Sequence, residues 1–182
     1  LGLGYTPQWF YSNVGSDPTL VGGLLANFSE GAVDGAGALD GVLTTEYIPT
    51  VAETDNEWVQ LWNEVWDASG EDGELTNFHI YGMSQAYTFV QALVAAGEDL
   101  DRQGIVDALE EQGGSFEGPN LAPYRYSEDS HLGVAGMRIA ELEGVSSTPL
   151  TPVLVTDIGD AEITEDTSGQ EDDAPAEGGI PQ

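Results

Sequence analysis

Gly82-Met83-Ser84-Gln85-Ala86 follows a short apolar run and precedes a helical pattern, so it approaches the G-x-S-x-G turn that presents a nucleophilic serine. Such a turn needs glycine on both sides, because the strand-to-helix bend is strained and helix and strand pack closely. Here the second glycine is Ala86 and bulky Tyr87 follows. A serine triad also needs an acid and a histidine. His131 is the downstream histidine, with Asp107 or Asp129 as the acid, and no oxyanion-type segment precedes Ser84. An α/β-hydrolase-like esterase using Ser84 and His131 is therefore the lesser reading. Glu128, Asp129 and His131 carry metal-ligand chemistry, but ligands so close in sequence, with His79 as the other histidine, favour a hydrogen-bonding role. No metal and no cofactor are expected. The glycine-rich Glu30–Gly41 stretch lacks the G-x-G-x-x-G spacing and would set acids against phosphates, which favours a flexible connection. Asn27-Phe28-Ser29 is formally a glycosylation acceptor, although Phe28 reads as buried.

These residues must be positioned by a chain whose charge is extreme. Its 182 residues carry 33 acids against Arg102, Arg125 and Arg138, with no lysine, for a net charge of −30. A surface of that sign repels phosphate backbones and anionic lipid, which argues against nucleic acid and membrane-surface partners. It also points to adaptation to high ionic strength, where screening relieves self-repulsion. The expectation is a halophilic fold that gains stability between low and molar salt. Without cysteine the chain has no disulfides, thiolate metal sites or cysteine nucleophile.

Strands and helices alternate along the chain. Pro7–Gly15 reads as a buried strand, and a helix follows with Asp17 as N-cap, Pro18 at its first position and Leu20, Leu24 and Phe28 on one apolar face. Ala38–Thr50 reads as a strand. From about Asn56 to Ala68, Trp58, Leu61, Trp62, Val65 and Trp66 form a helical stripe that is better read as core than as a sugar-stacking platform. A helix reaches about Ala96, with Tyr87, Val90 and Val94, or Phe89, Leu93 and Ala96, as its apolar rows. Another covers about Asp101 to Gln112, with Ile105, Ala108 and Leu109 inward. Two strands follow, the second over about Val134–Leu142. The acid-, Gly- and Pro-rich segment from Asp157 predicts disorder. The alternation predicts an α/β fold with a largely parallel sheet, although four or five strands are few for these helices.

The order of elements adds a resemblance. A helix opening Tyr81-Gly82-Met83-Ser84-Gln85-Ala86, the Arg102 helix, a glycine pair, Phe116-Glu117-Gly118-Pro119, then Ser127, Asp129, His131 and Gly133 before a strand ending Leu142-Glu143-Gly144 resemble the extracytoplasmic solute-binding proteins of ABC transporters. The likeness is to their branched-chain amino acid, leucine-binding-like type, covers about Tyr5 to Thr156, and includes Asp40-Gly41-Val42-Leu43-Thr44-Thr45. It implies a partial type I periplasmic-binding-protein fold, with two Rossmann-like lobes joined by hinge crossings and the N-terminal half missing. Residues 1–45 would end the second lobe, 46–124 would be the C-terminal part of the first, 125–156 would return strands to the second, and 157–182 would be a disordered acidic tail. The resemblance implies a non-enzymatic binding component that captures a small polar solute, an amino acid or amide, by hinge closure. Its partners would be ABC permease subunits, and its location extracytoplasmic, with membrane association only through a missing N-terminal lipid anchor. A ligand sensor of the same fold that takes no part in transport is the alternative. The family's cleft positions correspond to Ser12 and Asn13 and to Tyr81, Met83 and Ser84. Asn13 stands where amino acid binders often carry an acid, and Met83-Ser84 replaces the common Tyr-Asp, so the ligand class departs from the family pattern. The start of the Tyr81 helix would favour an anionic ligand group.

Overall fold

The computed structural model describes residues 6–35, 37–98, 100–156 and 162–181. It comprises two compact units, and the chain passes between them at 46/47, 137/138 and 152/153. The smaller unit contains residues up to Glu46 together with Arg138–Pro152, and the larger one Tyr47–Met137 and the chain from Val153 onward. Of residues 125–156, only Arg138–Pro152 therefore joins the unit that contains the N-terminal elements.

In the smaller unit, α1 (Pro18–Phe28) starts where sequence places it: the Asp17 carboxylate accepts the Leu20 N–H at 2.7 Å, with Pro18 at the first helical position. β1 (Leu43–Glu46) pairs antiparallel with β2 (Gly136–Glu143), Thr44 opposite Ala140 and Glu46 opposite Arg138. β2 folds back onto β3 (Ser146–Pro149) through a turn in which Gly144 takes φ 62°, a left-handed value that glycine adopts without strain. Leu39, Val42 and Leu142 form the core, with Val21 packed against it.

Two expectations fail here. The described strand ladders are antiparallel, and parallel pairing is confined to a bridge between Phe10 and Leu43. Helix α1 lies between those two residues and returns the chain alongside itself; β2 and β3 are joined by a tight turn, which forces opposite directions. Leu20, Leu24 and Phe28 do not face the core: they are 48%, 44% and 81% exposed. The inward side of α1 carries Val21 and Gly22, and a Cβ added to Gly22 would lie 2.0 Å from the Gly35 carbonyl oxygen, so close approach of backbone to backbone replaces a leucine seam.

The larger unit is built on α2 (Glu57–Ser69), α3 (Asn77–Ala96) and α4 (Arg102–Gln112). The Asn56 side chain caps α2 by accepting from the Trp58 and Val59 N–H groups, and Gly70 closes it at φ 72°. Trp58, Val59 and Trp62 of α2 pack on Ile80 and Tyr87 of α3, with Tyr87 edge-on to Trp58 at 5.0 Å. The tryptophan stripe is thus core at Trp58 and Trp62, while Trp66 stacks on His79 at 4.3 Å. Neither predicted apolar row of α3 is the inward one. The buried face carries Ile80, Ser84, Tyr87, Thr88, Gln91 and Ala92, and Phe89, Val90 and Val94 are exposed. The polar members are satisfied: the Gln91 amide donates to the Glu117 carbonyl at 2.6 Å and accepts the Glu117 N–H at 2.8 Å, and the Thr88 and Tyr124 hydroxyls lie 2.6 Å apart.

The C-terminal segment also departs from its composition. β5 (Ile163–Glu165) pairs antiparallel with β4 (Leu154–Thr156), and β4 pairs with Gly136 and Met137. Beyond it, the Trp58 indole N–H donates to the Asp173 carbonyl at 2.9 Å, and the Gln170 side chain donates to the Gly118 carbonyl at 3.3 Å. A buried indole N–H needs an acceptor, and the acidic segment supplies one from its backbone, where its charge is irrelevant.

Burial, then the neighbouring Glu117 charge and its 3.3 Å hydrogen bond, push the Tyr87 hydroxyl from 10.0 to about 12. Burial also raises Tyr124 and Tyr126. An unfolded tyrosine sheds its proton near 10, before the folded one does, so native stability should fall as pH rises from about 10 to 12. Phenolate absorbance and circular dichroism followed together through that window should change together. Phenol ionisation complete by pH 10.5 with native structure intact would contradict this packing.

Candidate functional site

α3 begins earlier than the serine motif suggests. Thr76 is its N-cap, and its backbone N–H donates to His79 Nδ1 at 3.0 Å, a reach-back contact usually made by Glu or Gln. Ser84 accordingly lies two turns into the helix, not in its first turn. It is 2% exposed, and its hydroxyl donates to the Ile80 carbonyl at 2.6 Å. Nothing lies within 4 Å of a Cβ built on Gly82, so that glycine serves no close backbone approach. His131 Nε2 lies 2.7 Å from Glu110 Oε1 on the exposed side of α4. The serine proton and the imidazole are each engaged elsewhere, an arrangement without the contacts of a nucleophile and its base. Free amide N–H groups at a helix start, which would favour an anion, belong to the Thr76 end and not to Tyr81–Ser84.

On α3 the three singled-out residues part company. Tyr81 is 45% exposed, Met83 packs half-buried against the Trp58–Tyr87 cluster, and Ser84 is in the core. Of the three, Tyr81 is the one open to solvent; the other two hold the helix that carries it.

Ser12 and Asn13 occupy the turn between the strand segment that bridges Leu43 and helix α1. The Tyr11 N–H donates to the Leu43 carbonyl, and the Leu43 N–H to the Trp9 carbonyl, which aligns this segment with β1. A 3₁₀ turn at Asn13–Gly15 follows, and the Ser16 hydroxyl lies 2.5 Å from that of Thr44, fixing the turn to β1. Ser12 is exposed and Asn13 half-buried, with Trp9, Phe10, Tyr11 and Val14 exposed around them. The carboxyl end of a strand feeding a helix is where α/β folds receive ligands. A neutral amide with a hydroxyl beside it both donates and accepts, which suits a polar solute without requiring charge.

One constellation escapes sequence reading. Glu46 ends β1, Arg138 opposes it on β2, and their side chains, 6% and 11% exposed, form an ion pair at 2.8 Å. The Ser147 hydroxyl donates to the other Glu46 oxygen. Each residue comes from a different strand, and Glu46 and Arg138 stand immediately beside two of the chain passages. The available signal was Arg138 itself, a cation inside an apolar strand, which demands a buried carboxylate.

A periplasmic binding protein family model matches residues 11–147. No curated protein sequence matches the chain. Among solved structures, the chain is similar to a branched chain amino acid ABC transporter protein from Thermus thermophilus with bound valine, at 19% identity and a TM-score of 0.64, over 85% of this chain and 41% of that one. It is also similar to a possible leucine/isoleucine/valine-binding protein from Rhodopirellula baltica SH 1, at 19% identity and a TM-score of 0.59, over 81% of this chain and 36% of that one. The chain thus spans well under half the length of either protein, and at these identities what is shared is the fold. The two-unit α/β architecture, the three chain passages and the match over most of its length place the chain in the periplasmic binding protein family.

Proposed function

We propose that the protein captures a small polar metabolite, an amino acid or amide-like solute, as the substrate-binding component of an ABC importer. The observation that carries this reading is the family match over residues 11–147, a stretch that includes the Ser12–Asn13 turn and the Tyr81 face of α3. In this reading Ser12 and Asn13 hydrogen-bond the solute, Tyr81 adds a ring face and a hydroxyl, and Met83 and Ser84 act from the core by fixing the turn of α3 that bears Tyr81. Capture proceeds by hinge closure, which the solute drives only by binding the closed state better than the open one. No covalent step is involved. The protein works outside the cytoplasm, held by an N-terminal lipid anchor, and hands the solute to ABC permease subunits in a medium of high ionic strength.

A thermal-shift panel of amino acids and their amides tests this. At about 100 times its Kd a true solute stabilises by about 2.7 kcal/mol, a shift of several degrees, and Asn13→Ala should abolish most of it. Ester turnover lost in Ser84→Ala, or a melting temperature indifferent to the whole panel, would overturn the reading.

A further inference from the structure

The larger unit carries a half-open cavity of about 420 Å³, at the small end of the range for ligand sites. Tyr124, Arg125, Tyr126, Ser127, Asp129 and Thr156 are among its walls.

These walls are held from behind. Ser127 and Ser130 exchange backbone hydrogen bonds of 2.8 and 3.1 Å, closing a tight turn with Asp129 near its tip. The Arg125 N–H donates to the Gly133 carbonyl at 2.8 Å. Gly133 has no room for a side chain, because the Tyr126 ring would lie 2.3 Å from its Cβ. The Tyr124 and Tyr126 rings stack at 5.6 Å and 22°, and Thr88 fixes the Tyr124 hydroxyl.

In a chain with three basic residues and 33 acids, this cavity is lined by one of the three, with an acid four residues away. Both residues are exposed. Arg125 takes part in a further interaction, and a guanidinium carries five N–H donors in all. Among the described residues the wall carries a cation, an anion, hydroxyls and tyrosine rings, a set complementary to a molecule that carries both charges. Arginine matches a carboxylate with two parallel hydrogen bonds, and an ammonium is attracted both by a carboxylate and by an aromatic face.

We propose that this cavity binds a small zwitterionic solute, its carboxylate on Arg125 and its ammonium on Asp129 beside Tyr126. The cavity belongs to the larger unit and the Ser12–Asn13 turn to the smaller one, and the proposal does not depend on the function assigned to that turn.

Titration calorimetry with glycine betaine as the probe, against acetate and tetramethylammonium, tests the proposal. The expected result is saturable binding of betaine and neither control, weakened about ten-fold or more by Arg125→Gln and again by Asp129→Asn, as for loss of one charge-assisted contact. Both variants change exposed side chains, and unaltered melting temperatures would confirm that they fold. Three outcomes would overturn the proposal: acetate binding as tightly as betaine, betaine binding that neither variant weakens, or no saturable heat at millimolar probe.

Discussion

Arg138→Met is expected to destabilise the protein by about 3–5 kcal/mol, the cost of leaving a buried charge without its partner. Glu46 is 6% exposed and, among the described residues, would keep the Ser147 hydroxyl as its partner. The carboxylate would have to be protonated, or the ends of β1 and β2 would have to open to water. Combining Glu46→Leu with Arg138→Met should restore most of the loss, because apolar groups of similar volume leave nothing to desolvate. Urea unfolding of the two single variants and the double variant gives the coupling directly. If Arg138→Met costs no more than about 1 kcal/mol, the pair behaves like one at an exposed surface, and its placement inside the smaller unit is wrong.

The second large effect concerns the larger unit. Trp58→Ala should cost about 3–5 kcal/mol, as for other buried aromatics truncated to alanine, since its ring is 1% exposed and sits edge-on to Tyr87. Trp58→Phe separates two contributions. It keeps most of the packing but removes the indole N–H that holds the Asp173 carbonyl, a loss of about 1 kcal/mol. The phenylalanine variant should therefore melt only slightly lower while becoming more readily cleaved between Asp166 and Gly179. Equal protease resistance in both proteins would show that the acidic segment is held by something other than this bond.

What sequence revealed of the fold was its punctuation. Asp17 with Pro18 marks the start of α1 through a local hydrogen bond, and the helices read from about Asn56 and about Asp101 begin at those residues, whose side chains cap them. What it did not reveal depends on partners far along the chain. α3 is apolar on most sides, so periodicity could not choose its inward face, which is set by Gln91 and Thr88 bonding to Glu117 and Tyr124. Glu46 and Arg138 are 92 residues apart, and no local pattern announces that they meet. In the acidic segment, composition counted charges, whereas the contact to Trp58 uses a backbone carbonyl. At the candidate site, Ala86 and Tyr87 spoke against a nucleophile turn, and the hydrogen bond of Ser84 to Ile80 accords with that. The depth of Ser84 inside the helix was hidden because a histidine, His79, takes the place of the usual Glu or Gln in the cap.

The division of the smaller unit between two stretches of chain bears on the order of events at the ribosome. β1 is synthesised long before β2, its partner, and at about 5–20 residues per second the 92-residue separation of Glu46 and Arg138 takes about 5–20 s to make. Throughout that interval β1 is an unpaired strand edge ending in a carboxylate that later becomes buried. Closing so long a loop carries an entropic cost that grows only slowly with length, but the contact is distant in sequence and therefore slow to form. The larger unit, most of it emerging within the interval, has time to fold first. The net charge of −30 then takes on a second meaning, since mutual repulsion keeps such waiting edges from pairing with one another before Arg138 arrives.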